Sequence, residues 1–133
     1  MKRLLLAAAL ATAVPLGLLS LTACDNSPTP PGETGVCYQF ISPKSGKPHF
    51  NVLTRNVPNL ETCAANLEAM RIHFITLGST NTDIVGAYQS KFLFLQREGV
   101  FSSDTLNGPA YLALVRTGDG RLAMPGAVQQ PVN

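Results

Sequence analysis

Three cysteines and two histidines are the residues of this chain best suited to nucleophilic attack, metal binding or proton transfer: Cys24, Cys37, Cys63, His49 and His73. A histidine that acts as a base needs a polar partner to orient its ring. Neither histidine has an aspartate or glutamate at a sequence spacing that indicates an orienting partner. The chain also has no Gly-x-Ser-x-Gly, His-Glu-x-x-His or phosphate-loop motif. Catalytic groups can also assemble across a fold, but this inventory favours a protein that is not an enzyme.

Cys24 stands at the end of an apolar N-terminal run. Lys2 and Arg3 open the chain, residues 4–19 are almost wholly apolar, and Leu-Thr-Ala occupies 21–23. A short positive segment followed by an apolar run is typical of an export signal. The ending resembles the lipobox of bacterial lipoprotein precursors. The resemblance implies that a diacylglycerol is attached to the sulfur of Cys24 and that a signal peptidase cleaves before it. It covers residues 1–24 only, and no other family resemblance is evident.

Two other interpretations of this run are an uncleaved anchor helix and an ordinary secretory signal. Residues 4–23 are long enough to span a bilayer, although Pro15 and Gly17 weaken such a helix. All three interpretations keep Lys2 and Arg3 in the cytoplasm and export the rest. The expected location is therefore the bacterial envelope, lipid-anchored and facing the periplasm. Asp25 resembles an inner-membrane retention signal, but the choice between inner and outer membrane stays open.

The charge balance changes when the signal is removed. The whole chain has a formal charge of +2, and Lys2 and Arg3 leave with residues 1–23, so eight basic and eight acidic residues remain. A neutral chain gives no electrostatic reason to bind nucleic acid or an anionic membrane surface. Attachment to the membrane would depend on the acyl chains of Cys24.

The chain after the signal divides into three parts. Residues 24–35 hold the lipidated cysteine and a proline-rich stretch without apolar residues, which predicts a tether able to hold a domain about 30 Å from the anchor. Residues 36–124 form one small domain. Residues 125–133 are rich in Gly, Pro and Gln, and we expect a flexible tail.

Within residues 36–124 the pattern predicts an α+β fold, with one helix packed on an antiparallel sheet of four to six short strands. Asn59 is placed to cap the helix, and Gly78 to end it. Apolar residues recur at helical spacing, and charged ones are expected on the other face. The apolar set is Leu60, Cys63, Ala64, Leu67, Met70 and Phe74; the charged set is Glu61, Glu68 and Arg71. Strands are expected at 37–41, 49–53, 87–95, 100–101, 111–115 and 121–123, with a hairpin turn at Asp119-Gly120.

With Cys24 lipidated, Cys37 and Cys63 remain in an oxidising compartment, where two cysteines usually pair. The alternative is a metal site formed by these cysteines with His49 and His73. The spacings lack the close ligand pairs of zinc sites. We therefore expect a Cys37–Cys63 disulfide, and neither a metal nor a cofactor.

Anchor, spacer, small size and lack of catalytic motifs favour a membrane-tethered binding or assembly module that contacts another envelope protein. The alternative is a small envelope hydrolase or a ligand-binding lipoprotein. A polar pocket joining His49 or His73 to Asp83 or Asp104 would favour the alternative, because an active site needs an oriented base. An exposed apolar patch would favour the binding module.

Overall fold

The computed structural model of the protein describes residues 26–126, so the predicted signal peptide, Cys24 and residues 127–133 lie outside the described part. Within that part the chain forms one helix and seven strands. In chain order these are β1 (Cys37–Ile41), β2 (His49–Thr54), α1 (Leu60–Thr76), β3 (Ile84–Tyr88), β4 (Lys91–Leu95), β5 (Val100–Ser103), β6 (Tyr111–Arg116) and β7 (Leu122–Ala123).

The strands form one antiparallel sheet in the order β2-β1-β3-β4-β5-β6-β7. β1 and β2 form a hairpin, α1 carries the chain across to β3 on the other side of β1, and β3 to β7 follow as a meander. The predicted α+β architecture is therefore confirmed, but the sheet has more strands than the four to six expected.

The additional strand comes from a turn at Gln89 and Ser90. Residues 87–95 were expected to form one strand, whereas β3 ends at Tyr88 and β4 begins at Lys91, its partner in the ladder. The two residues between them have φ of 43° and 65°. Two-residue hairpins need this left-handed backbone and usually show it as Asn-Gly or a similar pair. Because neither residue here is glycine or asparagine, the sequence hides the turn.

Both predicted ends of the helix are confirmed. The Asn59 side chain accepts a hydrogen bond from the backbone N–H of Thr62 at 2.9 Å, which satisfies one of the free donors of the first turn. At the other end Gly78 takes a φ of 90°, and Ser79 N–H donates to the carbonyl of Phe74. A glycine in this conformation closes a helix without the strain that a Cβ would add.

The first half of α1 lies close against the sheet. Cys63, Ala64 and Leu67 are fully buried on the face toward β3 and β4. Gly86 makes this approach possible, since a Cβ there would meet the Leu67 Cδ1 and come within 2.7 Å of the Tyr38 carbonyl oxygen. The core on this side is completed by Tyr88, Leu93, Leu95, Val100 and Leu114.

The other face of the sheet carries a layer of aromatic rings. The Phe50 and Phe92 ring centroids are 5.9 Å apart, although β1 and β3 separate their strands. Neighbouring strands are about 4.8 Å apart, so a flat sheet would hold these positions more than twice as far from each other. The two rings therefore converge over the strands between them, and the small Ala87, which pairs with Phe92, leaves room for the rings.

The proline-rich segment predicted as a tether contacts the sheet over residues 30–35. Pro30 is buried, the Pro31 carbonyl accepts a hydrogen bond from Ser90 N–H at 2.9 Å, and the Gly35 carbonyl accepts one from Val57 N–H at 2.9 Å. These contacts shorten the stretch that is available as a free spacer.

The Cys37–Cys63 disulfide is present, with the two Cα atoms 5.3 Å apart. It joins the start of β1 to the end of the first turn of α1. The bond closes a loop between residues 26 positions apart, and both cysteines are fully buried.

Replacing Cys37 and Cys63 together by alanine should lower the free energy of unfolding by about 3 kcal/mol, because the unfolded chain regains the entropy of the open loop. The fold should persist, since buried small apolar residues still pack at both positions. Chemical denaturation of the variant beside the wild-type chain measures the change. Equal stability of the two proteins, or free alkylation of both cysteines in the native wild type, would contradict this account.

Candidate functional site

The residues that could have formed a catalytic pocket are dispersed. His49 is exposed at the start of β2, with Nδ1 3.0 Å from the Lys47 carbonyl oxygen, and His73 is exposed in the last turn of α1. In residues 26–126 no hydrogen bond or ion pair joins either histidine to a carboxylate. Asp83 bonds to its neighbours Asn81 and Thr82, and Asp104 pairs with Lys91.

Among the described residues, we find neither a cluster of metal ligands nor a buried nucleophile with an adjacent base. No cluster of three or more His, Cys, Asp or Glu side chains occurs in the described part of the chain. Ser102 Oγ is fully buried and lacks a hydrogen-bond partner among these residues. Its ladder partners are Leu93 and Tyr111, and both histidines are on the exposed surface. A serine needs an adjacent base to become a nucleophile, so Ser102 is a strand residue of the core.

A buried ion cluster joins α1 to the far side of the sheet. The Glu68 carboxylate accepts hydrogen bonds from Arg116 Nε at 2.8 Å and Nη2 at 2.9 Å, and from Arg71 Nη1 at 3.1 Å. Arg116 Nη1 donates to the carbonyls of Gln96 and Arg97 at 2.6 and 2.8 Å, and Arg71 Nε donates to that of Thr82. The cluster thus connects the helix, the end of β6 and two loops.

The expectation that Glu68 and Arg71 lie on the solvent face of α1 is wrong, since both are buried. Glu68 follows the buried Ala64 by four residues and Arg71 follows the buried Leu67 by four, which puts them on the same stripe of the helix. This four-residue spacing was the signal in the sequence that could have predicted the burial of Glu68 and Arg71. The partner that makes burial possible, Arg116, is 48 residues away from Glu68 and has no local signature.

The ion cluster stabilises the fold and has no free group for a reaction. Both Glu68 oxygens accept hydrogen bonds from guanidinium groups, so the carboxylate is not free to take a proton from a substrate. Hydrogen bonding to Glu68 raises the pKa of Arg116, although partial burial of the guanidinium opposes this effect. A fork-like pair of this kind adds directional bonding as well as charge attraction.

Replacing Glu68 by alanine should lower the free energy of unfolding by on the order of 3 kcal/mol, because it leaves the buried guanidinium of Arg71 and the partly buried one of Arg116 without their carboxylate. Glu61→Ala on the same helix is the matched control. The Glu61→Ala change should lower the free energy of unfolding by less than about 1 kcal/mol, since Glu61 contributes mainly through the helix dipole. Chemical denaturation compares the two variants, and losses of similar size would contradict a special role for Glu68.

A cleft of about 500 Å³ lies between α1 and residues 120–122. Apolar Ala65, Ala69, Ile72 and Leu122 form much of its wall. Glu68 also lines it, but its carboxylate is already bonded to the two arginines. The polar side chains of Asn59, Glu61, Thr62 and Arg121 also line it, but none of them is buried. A small-ligand site fixes its ligand with a few oriented polar groups in an enclosed pocket, so this cleft does not favour such a site.

The second half of α1 is a surface of a different kind. No residue of the helix after Arg71 is buried. Four large apolar side chains there are exposed by 38–70%: Ile72, Phe74, Ile75 and Leu77 at the cap. We call these four residues the α1 tip. Phe74 was expected in the core with Leu67, and its 40% exposure is a correction. The last buried residue of the helix is Arg71, so helical spacing alone overestimates the buried length.

No protein-family model, curated protein or solved structure matches this chain. Nothing in the helical content of residues 26–126 is long and apolar enough to cross a membrane.

Proposed function

We propose that this protein is a lipid-anchored module of the bacterial envelope that binds another envelope protein through the α1 tip. The observation that carries the proposal is the exposure of Ile72, Phe74, Ile75 and Leu77 within six consecutive positions. The four side chains surround the end of the helix: Ile72 borders the cleft with Leu122, and Phe74 borders a groove with Ile41. Burying apolar surface is favourable by about 25 cal/mol per Å², so a helix end that exposes apolar side chains on opposite sides is a ready site for association.

The polar surroundings of the α1 tip support a protein partner. Phe74 borders a groove in which apolar residues meet polar ones: Phe40, Ile41, Ile84 and Val85 beside Gln39, Ser42, Ser79, Asn81 and Asp83. An apolar centre with a polar rim is the usual arrangement of protein interfaces. His73 is the basic residue in the last helical turn, and no arginine or lysine lies in residues 72–83. We therefore expect apolar anchors from the partner rather than acidic ones.

The position of the α1 tip favours a partner other than the anchoring membrane. The N-terminal segment docks beside Gln89, Ser90 and Val57, at the end of the sheet where β1 begins. Phe74 lies beside Ile41 and Ser42, where β1 ends. A five-residue strand is about 13 Å long. The α1 tip and the segment that leads to Cys24 are thus at opposite ends of the domain.

The lipid anchor rests on the lipobox resemblance of residues 21–24. Replacing Cys24 by serine should abolish incorporation of labelled palmitate and leave an uncleaved or soluble exported chain, because no thiolate is present to accept the diacylglycerol. Metabolic labelling followed by mass spectrometry makes the measurement. Palmitate that still enters the Cys24→Ser chain would refute the lipobox interpretation.

A photoreactive amino acid at Leu77 of the full chain tests the partner surface in intact cells. We expect one discrete adduct with a second protein, because an apolar docking site buries this position. Ile75→Glu should abolish the adduct by placing a charge inside the interface.

The matched control is Leu112→Glu, which makes the same kind of change at a side chain of nearly equal exposure on β6, 39% against 38%. The chain with Leu112→Glu should form the same adduct, in the same amount, as the chain without this change. An adduct that survives Ile75→Glu, that is lost equally with Leu112→Glu, or that contains only lipid or a second copy of this chain would contradict the proposal.

A further inference from the structure

The N-terminal segment is held against one end of the domain at several points. Glu33 is bound through both carboxylate oxygens, by Tyr38 Oη at 2.9 Å and by Arg55 Nη1 at 3.1 Å. The Pro31 carbonyl accepts from Ser90 N–H, and Gly35 N–H donates to the Gln89 side chain at 3.2 Å. Side-chain and backbone bonds together restrict this segment far more than a flexible linker.

The same segment continues along the loop between β5 and β6. Residues 27–30 and residues 104–108 line one shared groove. We call residues 104–110 the anchor-side loop. Pro30 is buried in this contact region, and the loop is held in turn by the Ser103 hydroxyl, which donates to the Pro109 carbonyl at 2.8 Å.

Covalent geometry then limits how far the lipid can be from this loop. Cys24 precedes Ser27, the first residue of the segment that lines the groove with the loop, by three positions. Three residues extend by at most about 11 Å, whatever their conformation. An acyl chain on Cys24 must therefore enter the bilayer close to the anchor-side loop, which leaves no room for the 30 Å spacer expected from the sequence.

We infer that the anchor-side loop and Tyr111 rest on the lipid headgroup region of the membrane that holds the acyl chains. The inference rests on the proposed lipidation of Cys24 and adds a second interaction surface to it. Tyr111 is 57% exposed directly after the loop, and Pro109 and Ala110 are exposed beside it. A tyrosine with an apolar ring and a polar tip is suited to the boundary between water and hydrocarbon.

The charged residues at this end allow contact with either a neutral or an anionic lipid surface. Lys91 pairs with Asp104, and Arg55 pairs with Glu33. The paired charges neither repel nor attract anionic headgroups strongly. The contact therefore depends on the short covalent link and on Tyr111, and the α1 tip at the other end points away from the bilayer.

Lipid quenching of a fluorescent amino acid tests the inference on the full acylated chain. The protein is placed in phosphatidylethanolamine and phosphatidylglycerol vesicles whose acyl chains carry bromine. The label replaces Asn107 in the anchor-side loop or, as the matched control, Ser45 in the exposed loop between β1 and β2 at the opposite end. We expect most of the emission to be lost at position 107 and none at position 45.

A second variant isolates the role of the docked segment. Inserting about twelve Gly and Ser residues after Asp25 lengthens the link without changing the described contacts. Emission at position 107 should then recover to the level of position 45. Equal emission at both positions in the acylated chain, or quenching at 107 that survives the insertion, would overturn the inference. A chain without an acyl group by mass spectrometry would instead refute the lipid anchor, and the membrane contact with it.

Discussion

The close fit of the first half of α1 to the sheet is the constraint on which the rest of the structure depends. It needs a position without a side chain at Gly86, so that Leu67 reaches the backbone of β3. The disulfide of Cys63 to Cys37 acts one turn earlier, and Glu68 acts one residue later through Arg116. Covalent, apolar and ionic contacts are thus concentrated within six residues of the helix.

This concentration explains why the helix has two different halves. Residues up to Arg71 are tied to β1, β3 and β6, whereas those after it have no buried member. A domain of this size has a small core and cannot cover a 17-residue helix along its whole length. This half keeps the apolar side chains Ile72, Phe74, Ile75 and Leu77, of which 38–70% stays exposed although Ile72 and Phe74 also border neighbouring parts of the domain.

Local chemistry made much of the fold predictable from the sequence. The cap at Asn59, the stop at Gly78 and the hairpin at Asp119-Gly120 each depend on residues within one turn, and all three are present. The disulfide was predictable from the expected oxidising compartment and the number of cysteines. The Gln89–Ser90 turn was not, because ordinary residues adopt its backbone, and the burial of Glu68 was not, because it depends on a distant arginine.

The two ends of the domain suggest a division of roles. The end that receives the N-terminal segment has its charges paired and Tyr111 exposed beside the chain that leads to Cys24. The opposite end presents the α1 tip with a polar rim. A short, docked link orients a domain more strictly than a free one, and a fixed orientation lowers the entropy lost when a partner binds.

Amide hydrogen exchange of residues 72–77 in native membranes and in the purified full chain tests most directly whether a partner covers the α1 tip. A bound partner slows hydrogen exchange of amides that open locally in the free protein. Amides of the core exchange equally in both states and serve as the reference. The account predicts slower exchange of these amides in native membranes than after purification, with the amide of buried Leu93 unchanged. Equal exchange of residues 72–77 in both states would contradict it.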